Sequence, residues 1–356
     1  MIPGATRERV IQKTLEYLDR PAVVGHEGPF LDFMEREFTR IGCECTLDAD
    51  SLECNAPGDR PEIICVHADR HGLIHTEPGV FEYAAWIARD EYAAEDRPTS
   101  PAMAVRVCTR FVDEPVLAYD PATGAALARA ITRSAKYDEE DAKLTFPIPE
   151  FRGLPIGTPV CFRRLTVLDH YTISGQIDNA VSAAIAFTLV ERGFGGRILF
   201  TTEEEIGRSW IHAKARLEAR SIRTDRLIVL DTSPYQETSA IDRGLVVLRR
   251  RDAHAAFNGV FVDTLARACE RLGLPYEFKD EYIEKKNAAR AAEGEGPLSI
   301  GSTELGRLIN AADGAITGAT IQLPTFGYHS NSESTSTLAI DQVVRLLGDV
   351  LKLELP

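Results

Sequence analysis

Acidic residues and histidines recur at the ends of short apolar runs in this 356-residue sequence. His67 and Asp69 follow the first run, three successive glutamates follow the second, and Asp231 closes the third. Asp178 precedes an apolar stretch of helical character, and His329 lies in a Gly/Ser-rich loop. Imidazole and carboxylate groups are the usual protein ligands of catalytic zinc, so the pattern indicates metal chemistry.

Each of these residues also has an ordinary structural explanation when it is taken alone. Asp178-Asn179 before an apolar stretch is typical of a helix N-cap. Three glutamates in a row are typical of a solvated turn, and a single histidine such as His329 is commonly a hydrogen-bonded loop residue. The prediction of a metal site therefore depends on the whole set of residues.

Taken together, the residues supply a complete site for two metal ions. Two divalent ions about 3.5 to 4 Å apart need a carboxylate that bridges them, and Asp178 at a helix start suits that role. Each ion also needs an imidazole and a carboxylate, with one position open for water. Asp69 lies two residues beyond His67 and can accept its imidazole N–H. Of Glu204 and Glu205, one can bind a metal while the other takes a proton from water.

The elements that would position these residues alternate between strand and helix. Apolar runs typical of buried strands span residues 62–67, 197–202 and 226–231. Helical spacing of apolar residues predicts helices over residues 10–18, 30–41, 180–192 and 210–220. The alternation predicts an α/β fold with a mixed, mainly parallel sheet flanked by helices. In such sheets ligands bind beyond the carboxyl ends of the strands, where the histidines and acidic residues lie.

The stretch from residue 75 to residue 165 interrupts this alternation. It contains short β-like runs and turn signals, so we predict an inserted β-rich domain there. The catalytic domain would then comprise residues 1–74 and 166–356. A polar, glycine-containing stretch at residues 284–297 is predicted to be a surface loop or a frayed helix.

Composition and charge disfavour several classes of function. Hydrophobic residues make up 44% and charged residues 26%, as in ordinary globular chains. The net charge of −14 disfavours a nucleic-acid partner, and no segment has the length and apolarity of a membrane span or a signal peptide. The seven cysteines contain no CxxC pair, so we expect reduced thiols and a cytoplasmic protein.

Five sequence motifs resemble those of the tetrahedral (TET-type) and glutamyl aminopeptidase family of co-catalytic zinc metallopeptidases. The motifs are HADRHGL, the IDN before AVSAA, FTTEEEIG, VLD and YHSNSE. The resemblance implies a zinc exopeptidase-like fold and an inserted small β-barrel that acts in dimer contacts or as a lid. It implies Glu204 as general base, Asp69 behind the first histidine, and metal ligands at His67, Asp178, Glu205, Asp231 and His329.

Two positions depart from the pattern of that family. Asn179-Ala180 stands where the family has a second acidic residue followed by arginine, and Phe326-Gly327 stands where it tends to have Arg-Tyr. Neither departure removes a predicted ligand. The departures therefore bear on substrate preference and assembly rather than on metal binding.

From this resemblance we expect an aminopeptidase that hydrolyses N-terminal residues from short peptides with a metal-activated water. Its cofactors would be two divalent ions per subunit, with zinc favoured over cobalt or manganese. A related deacylase, carboxypeptidase or other amidohydrolase remains an alternative on the same site. A non-catalytic binding protein on this scaffold would show a missing ligand or base, and none is missing. The expected partners are short peptides and further copies of the chain, as a dimer or a higher assembly, with neither nucleic acid nor membrane.

Overall fold

The computed structural model describes residues 4–85, 107–138, 140–141, 143–163, 167–169 and 171–354. The described helices are α1 (Gly4–Leu18), α2 (Gly28–Arg40), α3 (Ile177–Glu191), α4 (Ser209–Ala219), α5 (Ser239–Asp242), α6 (Gly259–Leu272), α7 (Lys279–Ala292), α8 (Glu304–Ala311) and α9 (Thr337–Val350). The described strands are β1 (Glu44–Leu47), β2 (Ser51–Asn55), β3 (Ile63–His67), β4 (Gly72–Glu77), β5 (Val80–Tyr83), β6 (Pro115–Tyr119), β7 (Ala126–Ile131), β8 (Lys136–Asp138), β9 (Lys143–Pro147), β10 (Pro159–Phe162), β11 (Val167–Leu168), β12 (Thr172–Ser174), β13 (Arg197–Thr201), β14 (Thr224–Tyr235), β15 (Val246–Leu248), β16 (Tyr276–Phe278), β17 (Ile316–Phe326) and β18 (Ser334–Ser336).

A large mixed sheet forms the body of the molecule. Its main path runs β1-β2-β13-β3-β14-β17-β18-β12-β11, and β15 and β16 branch from β17. The central strands β13, β3, β14 and β17 are parallel to one another. Antiparallel pairs extend the sheet on both sides of this centre. The mixed α/β sheet flanked by helices that the sequence predicts is therefore confirmed.

Helices cover both faces of this sheet, as alternate residues of β13 show. Phe200 contacts Phe38 of α2, with ring centroids 5.3 Å apart, and Phe38 in turn meets Phe187 of α3. The next residue, Thr201, points to the opposite face and donates a hydrogen bond to Glu304 of α8. Since both faces are covered, the central strands are buried on both sides, which explains their continuous apolar runs.

A second sheet lies between residues 72 and 162. Its seven described strands follow the order β7-β6-β10-β4-β5-β9-β8, and every pairing is antiparallel. It has its own buried cluster, which includes Phe81, Phe111, Phe146 and Phe162. The chain enters and leaves this sheet from neighbouring antiparallel strands, β4 and β10. The two ends therefore return close together, as an insertion requires.

The two sheets are joined by specific contacts as well as by the chain. The hydroxyl of Tyr119 on β6 accepts a hydrogen bond from Val23 N and donates one to the carbonyl of His26. The side-chain amide of Asn331, two residues beyond His329, donates to the Glu114 carboxylate. The seven-stranded sheet therefore packs directly against the segments that surround the predicted metal ligands.

The prediction for residues 284–297, a surface loop or a frayed helix, is partly correct. Residues 293–297 are not helical, but α7 is an ordered helix from Lys279 to Ala292. The helix is anchored at its first turn, where Asp280 accepts a hydrogen bond from Arg250 N and Ile283 is buried. These tertiary contacts outweigh a weakly apolar local pattern.

Two further observations concern expectations drawn from composition. None of the helices in the described residues combines the length and apolarity needed to cross a bilayer. All seven cysteines are free thiols.

Candidate metal centre

The register of three parallel strands places the first group of predicted ligands at one edge of the large sheet. His67, the last residue of β3, pairs with Thr201, the last residue of β13. On its other side β3 pairs Cys65 with Val229 of β14. Two residues further along both strands, Asp231 therefore lies level with His67.

His67, Asp178 and Asp231 form the first cluster of potential ligands. His67 Nε2 lies 3.1 Å from Asp178 Oδ1 and 3.6 Å from Asp231 Oδ1. Ligand atoms about 2.0 to 2.2 Å from a tetrahedral zinc lie about 3.4 Å apart, so these spacings suit one ion. His67 Nδ1 lies 3.2 Å from the Asp69 carbonyl oxygen and 3.5 Å from its carboxylate. Because both of these groups are acceptors, the proton belongs on Nδ1 and Nε2 is left free to bind a metal.

His329, Glu205 and His71 form the second cluster. His329 Nε2 lies 3.4 Å from Glu205 Oε2. The ligand atoms of all three residues lie within 4.8 Å of one another. His329 has a left-handed backbone with φ of 54°, and it is brought to this place by the loop between β17 and β18.

Asp178 lies between the two clusters. Its Oδ1 faces His67, while its Oδ2 lies 3.9 Å from His329 Nε2 and accepts a hydrogen bond from Thr232. Asp178 and Asn179 have non-helical dihedral angles and are joined by a cis peptide bond. Asn179 donates its side-chain amide to the carbonyl of Leu230. The two carboxylate oxygens of Asp178 face two different histidines and the Thr232 hydroxyl, and not the backbone N–H groups of the following helical turn.

Asp69 holds the turn that carries the glutamates. Its fully buried carboxylate accepts hydrogen bonds from the backbone N–H groups of Glu204 (3.0 Å) and Glu205 (2.9 Å). The turn is a single 3₁₀ turn, and the residue before it, Glu203, has a left-handed backbone. Asp69 therefore positions both glutamates as well as His67.

The electrostatics of the site favour a bound cation. Burial, with the nearby carboxylates, raises the pKa of Glu204 to about 8 and the pKa of Glu205 well above its usual value. Burial also raises the pKa of Asp178. For His67, burial lowers the pKa, but hydrogen bonds to Asp178 and the neighbouring aspartates outweigh burial and raise it overall. A cation among these oxygens would offset the cost of burying so many carboxylates.

A cavity of about 300 Å³ opens onto both clusters. Glu204, Glu205, Asp178, Asp231 and His329 line it on the side of the ligands. The remaining wall includes Trp210, Tyr328, Arg249 and Arg307. The cavity therefore gives a small ligand access to the cluster of ligands and to the Glu204 carboxylate.

Five of the seven residues singled out in the sequence line this cavity. Of the other two, His67 lies against Asp178 and Asp231, and Asp69 holds the turn of the glutamates. Their individual roles stay predictions. The sequence analysis missed His71, which is 1% exposed and belongs to the second cluster. His67, Asp69 and His71 alternate along one extended segment, so the spacing that suggested Asp69 could have suggested His71 as well. Glu304 and Glu333, also buried beside the site, carried no comparable signal.

Solved structures similar to this chain include archaeal aminopeptidases. A TET aminopeptidase from a marine-sediment Thaumarchaeota archaeon has a TM-score of 0.70 at 15% identity, and the match covers 96% of each chain. An aminopeptidase from Desulfurococcus kamchatkensis has a TM-score of 0.70 at 14% identity, over 97% of this chain and 95% of that chain. The Pyrococcus horikoshii TET1 peptidase has a TM-score of 0.66 at 14% identity, over 96% and 99%. At these identities the likeness establishes the fold.

The family is established by sequence. A comparison of this chain with curated protein sequences finds no match. A family model, M42 glutamyl aminopeptidase, matches residues 149–346, which is more than half of the chain. The matched stretch includes Asp178, Glu204, Glu205, Asp231 and His329, whereas His67 and most of the seven-stranded sheet precede it. The resemblance seen in the motifs is confirmed, and the chain belongs to the M42 glutamyl aminopeptidase family of metal-dependent aminopeptidases.

Proposed function

We propose that this protein uses a pair of divalent ions to remove N-terminal residues from short peptides. The observation that carries the proposal is the position of Asp178, with one carboxylate oxygen 3.1 Å from His67 Nε2 and the other 3.9 Å from His329 Nε2. A carboxylate placed in this way can bridge two ions.

The donor atoms fit two ions that share this bridge. His67, Asp231 and Asp178 would hold the first ion, and Glu205, His329 and Asp178 would hold the second. Glu205 Oε1 is buried and has no hydrogen-bond partner among the described residues, as expected for an oxygen that awaits a cation. The mixed imidazole and carboxylate ligands favour zinc, with cobalt or manganese as substitutes. Bound divalent ions would polarise the scissile carbonyl and lower the pKa of water, so that water can lose a proton and attack the carbonyl carbon.

Glu204 is the general base in this proposal. Its half-buried carboxylate lines the cavity, and no described side chain donates a hydrogen bond to it. The backbone N–H of Glu204 is fixed by Asp69, so the carboxylate is held at the cavity wall. Glu204 would take a proton from the attacking water and pass it to the leaving amine.

The cavity favours the end of a peptide over its middle. A volume of about 300 Å³ is at the lower limit of small-molecule sites, which leaves room for one residue beyond the scissile bond. The buried carboxylate of Glu304, which is not assigned to either ion, supports binding of a positively charged α-amine. Both features support an aminopeptidase.

A panel of aminoacyl anilides, each with and without N-acetylation, tests this function. We expect the protein reconstituted with Zn²⁺, Co²⁺ or Mn²⁺ to hydrolyse the free-amine substrates and to lose turnover on their acetylated forms. Elemental analysis of the same samples should give close to two ions per chain. Equal or faster hydrolysis of the acetylated substrates would instead identify a deacylase or another amidohydrolase.

We also propose that the protein self-associates through the inserted domain and acts in the cytoplasm. The Pyrococcus horikoshii TET1 peptidase can assemble into a tetrahedron or a large octahedral shell, and the similarity of fold supports a related assembly here. In this proposal residues 1–74 and 166–356 form the catalytic domain. Residues 75–165 form the inserted domain, which would make the contacts between copies of the chain. The seven free thiols support a reducing compartment.

A further inference from the structure

We propose that His71 is an additional ligand of the second ion, which this site would then hold with two imidazoles and two carboxylates. The inference rests on the two-metal function proposed above and deepens it. His71 supplies a donor beyond the five ligands identified in the sequence analysis.

The place of the His71 ring beside Glu205 and His329 is the first observation. The ligand atoms of His71, Glu205 and His329 lie within 4.8 Å of one another, and the rings of the two histidines meet edge to face with centroids 4.6 Å apart. His71 is 1% exposed, and its Nε2 has no hydrogen-bond partner among the described residues. A buried ring nitrogen without a partner is costly unless it binds something.

The opposite side of the ring is the second observation. His71 Nδ1 lies 2.8 Å from the hydroxyl of Tyr83 on β5, and the ring packs against Phe111. With Nδ1 as the donor to the Tyr83 oxygen, the lone pair lies on Nε2, which is the ring nitrogen without a hydrogen-bond partner among the described residues. This is the arrangement in which an outer hydrogen bond fixes the tautomer and orientation of a metal-binding histidine.

The additional ligand makes the two sites unequal. The first ion would have three protein ligands from His67, Asp231 and Asp178, with a position left open. The second ion would have four, from His71, His329, Glu205 and the shared Asp178. Zinc sites closed by four protein ligands retain their metal, whereas catalytic sites keep an open position. The second ion is therefore the retained one, and the first site is the one open to water.

The binding order also follows from this inequality. The first equivalent of Zn²⁺ added to metal-free protein should enter the second site, and it should survive dialysis against a chelator that removes the other ion. Tyr83 belongs to the seven-stranded sheet, so that sheet contributes directly to the retained site.

X-ray absorption of the wild-type protein loaded with two equivalents of Zn²⁺ tests the ligand count directly. The multiple-scattering signal of imidazole should correspond to three histidines over the two ions, from His67, His71 and His329. In His71→Phe, which keeps an aromatic ring against Phe111, the count should fall to two. A wild-type count of two would overturn the proposal whether or not the variant folds.

A chelator titration of the same proteins adds an affinity readout. We expect His71→Phe to release its retained ion at a chelator concentration more than about tenfold lower than wild type, and Tyr83→Phe to show a smaller loss, of less than about tenfold. His75→Phe is the matched control, because both ring nitrogens of that buried histidine are already paired with the backbone, at Pro155 O and Gly79 N. It should retain both ions as wild type does.

The outcomes separate this inference from the function on which it rests. If wild type binds two ions and His71→Phe binds them equally tightly, His71 is a packing residue and the two-metal function stands. If wild-type protein binds no divalent ion at all, both proposals are wrong.

Discussion

Two adjacent glutamates occupy different chemical positions in a single turn. Glu205 Oε2 lies 3.4 Å from His329 Nε2, within the second cluster of ligands. Glu204 also lines the cavity, but it belongs to neither cluster of ligands. The backbone N–H groups of both residues donate hydrogen bonds to the carboxylate of Asp69, which fixes the backbone from which the two side chains extend. This difference in position supports the proposed roles, in which Glu205 holds a metal and Glu204 moves a proton.

Glutamine at each position should separate these roles. We expect Glu204→Gln to keep both ions and lower kcat by about 10² to 10⁴-fold, because it removes the basic oxygen and preserves the shape. Glu205→Gln should lose affinity for one ion. Elemental analysis and steady-state kinetics on both variants check this. The reverse result, with metal lost from Glu204→Gln and retained by Glu205→Gln, would exchange the two assignments.

Lys279 gives a prediction about stability and pH. Its side chain is buried against the ring of Tyr235, 3.4 Å from the ring centroid, and donates to the carbonyl of Pro234. Burial lowers its pKa to about 7, with the charges of Arg249 and Lys286 adding to the effect and that of Glu277 opposing it. Between about pH 7 and pH 10.5 the unfolded chain binds a proton that the folded chain lacks, so this residue makes stability rise with pH.

Removing the Lys279 amine should remove that pH dependence. The quantity to compare is the free energy of unfolding of Lys279→Met minus that of wild type. This difference should be largest near pH 7 and should become smaller as the pH approaches 10, because only the wild-type protein gains stability over that range. Urea unfolding of both proteins at several pH values, in one metal state, measures the difference. A difference that stays constant over this range would show that Lys279 has an ordinary pKa in the folded protein.

The residues of the site were easier to predict than their surroundings. His67 and Asp231 end apolar strands, and Asp178 precedes an apolar helix. The direction of parallel strands therefore predicts that all three lie at the carboxyl edge of the large sheet. His71 continues the alternate spacing of His67 and Asp69, but it was missed because that spacing alone does not distinguish a metal ligand from a buried structural histidine. Arg249 and Arg307 reach the cavity from elements distant in sequence. Only tertiary structure shows that such residues share a wall.

At the scale of elements, a buried ion pair joins α1 to α2. Lys13 is 1% exposed, and its amine contacts the carboxylates of Glu37 and Glu16 and lies over the ring of Phe187, 4.4 Å from the centroid. Glu37 is also buried, and its other partner is the exposed Arg40. Removal of the lysine would therefore leave a buried carboxylate with one solvent-exposed partner.

We expect Lys13→Met to reduce the free energy of unfolding by on the order of 3 kcal/mol, at the lower end of the range for a broken buried pair because Arg40 remains. The double variant Lys13→Met/Glu37→Leu should recover most of this loss, since it removes both charges. Arg9→Met is the control, because its pair with Glu191 on α3 is partly exposed and should be worth less than about 1 kcal/mol. Urea denaturation of the four proteins measures these values. A loss from Lys13→Met no larger than that from the control would contradict the argument.

The elements themselves were predictable where one pattern dominated. The buried runs that became β3, β13 and β14 are continuous apolar segments bounded by polar residues. β14 nevertheless continues four residues past Asp231 to Tyr235, because its pairing with β17 extends that far. The three-residue strands β15 and β16 are too short to show a hydrophobic period. They form because β15 pairs with both β16 and β17.

At the scale of the whole molecule, the edge of the seven-stranded sheet offers a surface for self-association. β7 ends the strand order of that sheet in the described residues and pairs only with β6 there. Leu127, Arg129 and Ile131 lie on one face of β7, and the leucine and isoleucine are 48% and 39% exposed. An exposed apolar edge strand favours pairing with another chain, and natural proteins usually protect or cover such edges. A second copy of this chain is the cover that the proposed assembly would supply.

Charges on this face should therefore dissociate the assembly without disturbing the metal centre. We expect Leu127→Glu/Ile131→Glu to run as a smaller particle than wild type by light scattering, while it binds the same number of ions. The reason is that acidic side chains brought together at an interface between copies repel one another and are costly to bury. Val260→Glu is the control, since Val260 is an equally apolar side chain, 77% exposed, on α6 of the large domain. It should leave particle size unchanged. If the double variant keeps the wild-type size, or if wild type itself is a monomer, β7 is not the contact, and the metal site can be judged separately from the ion count of the same samples.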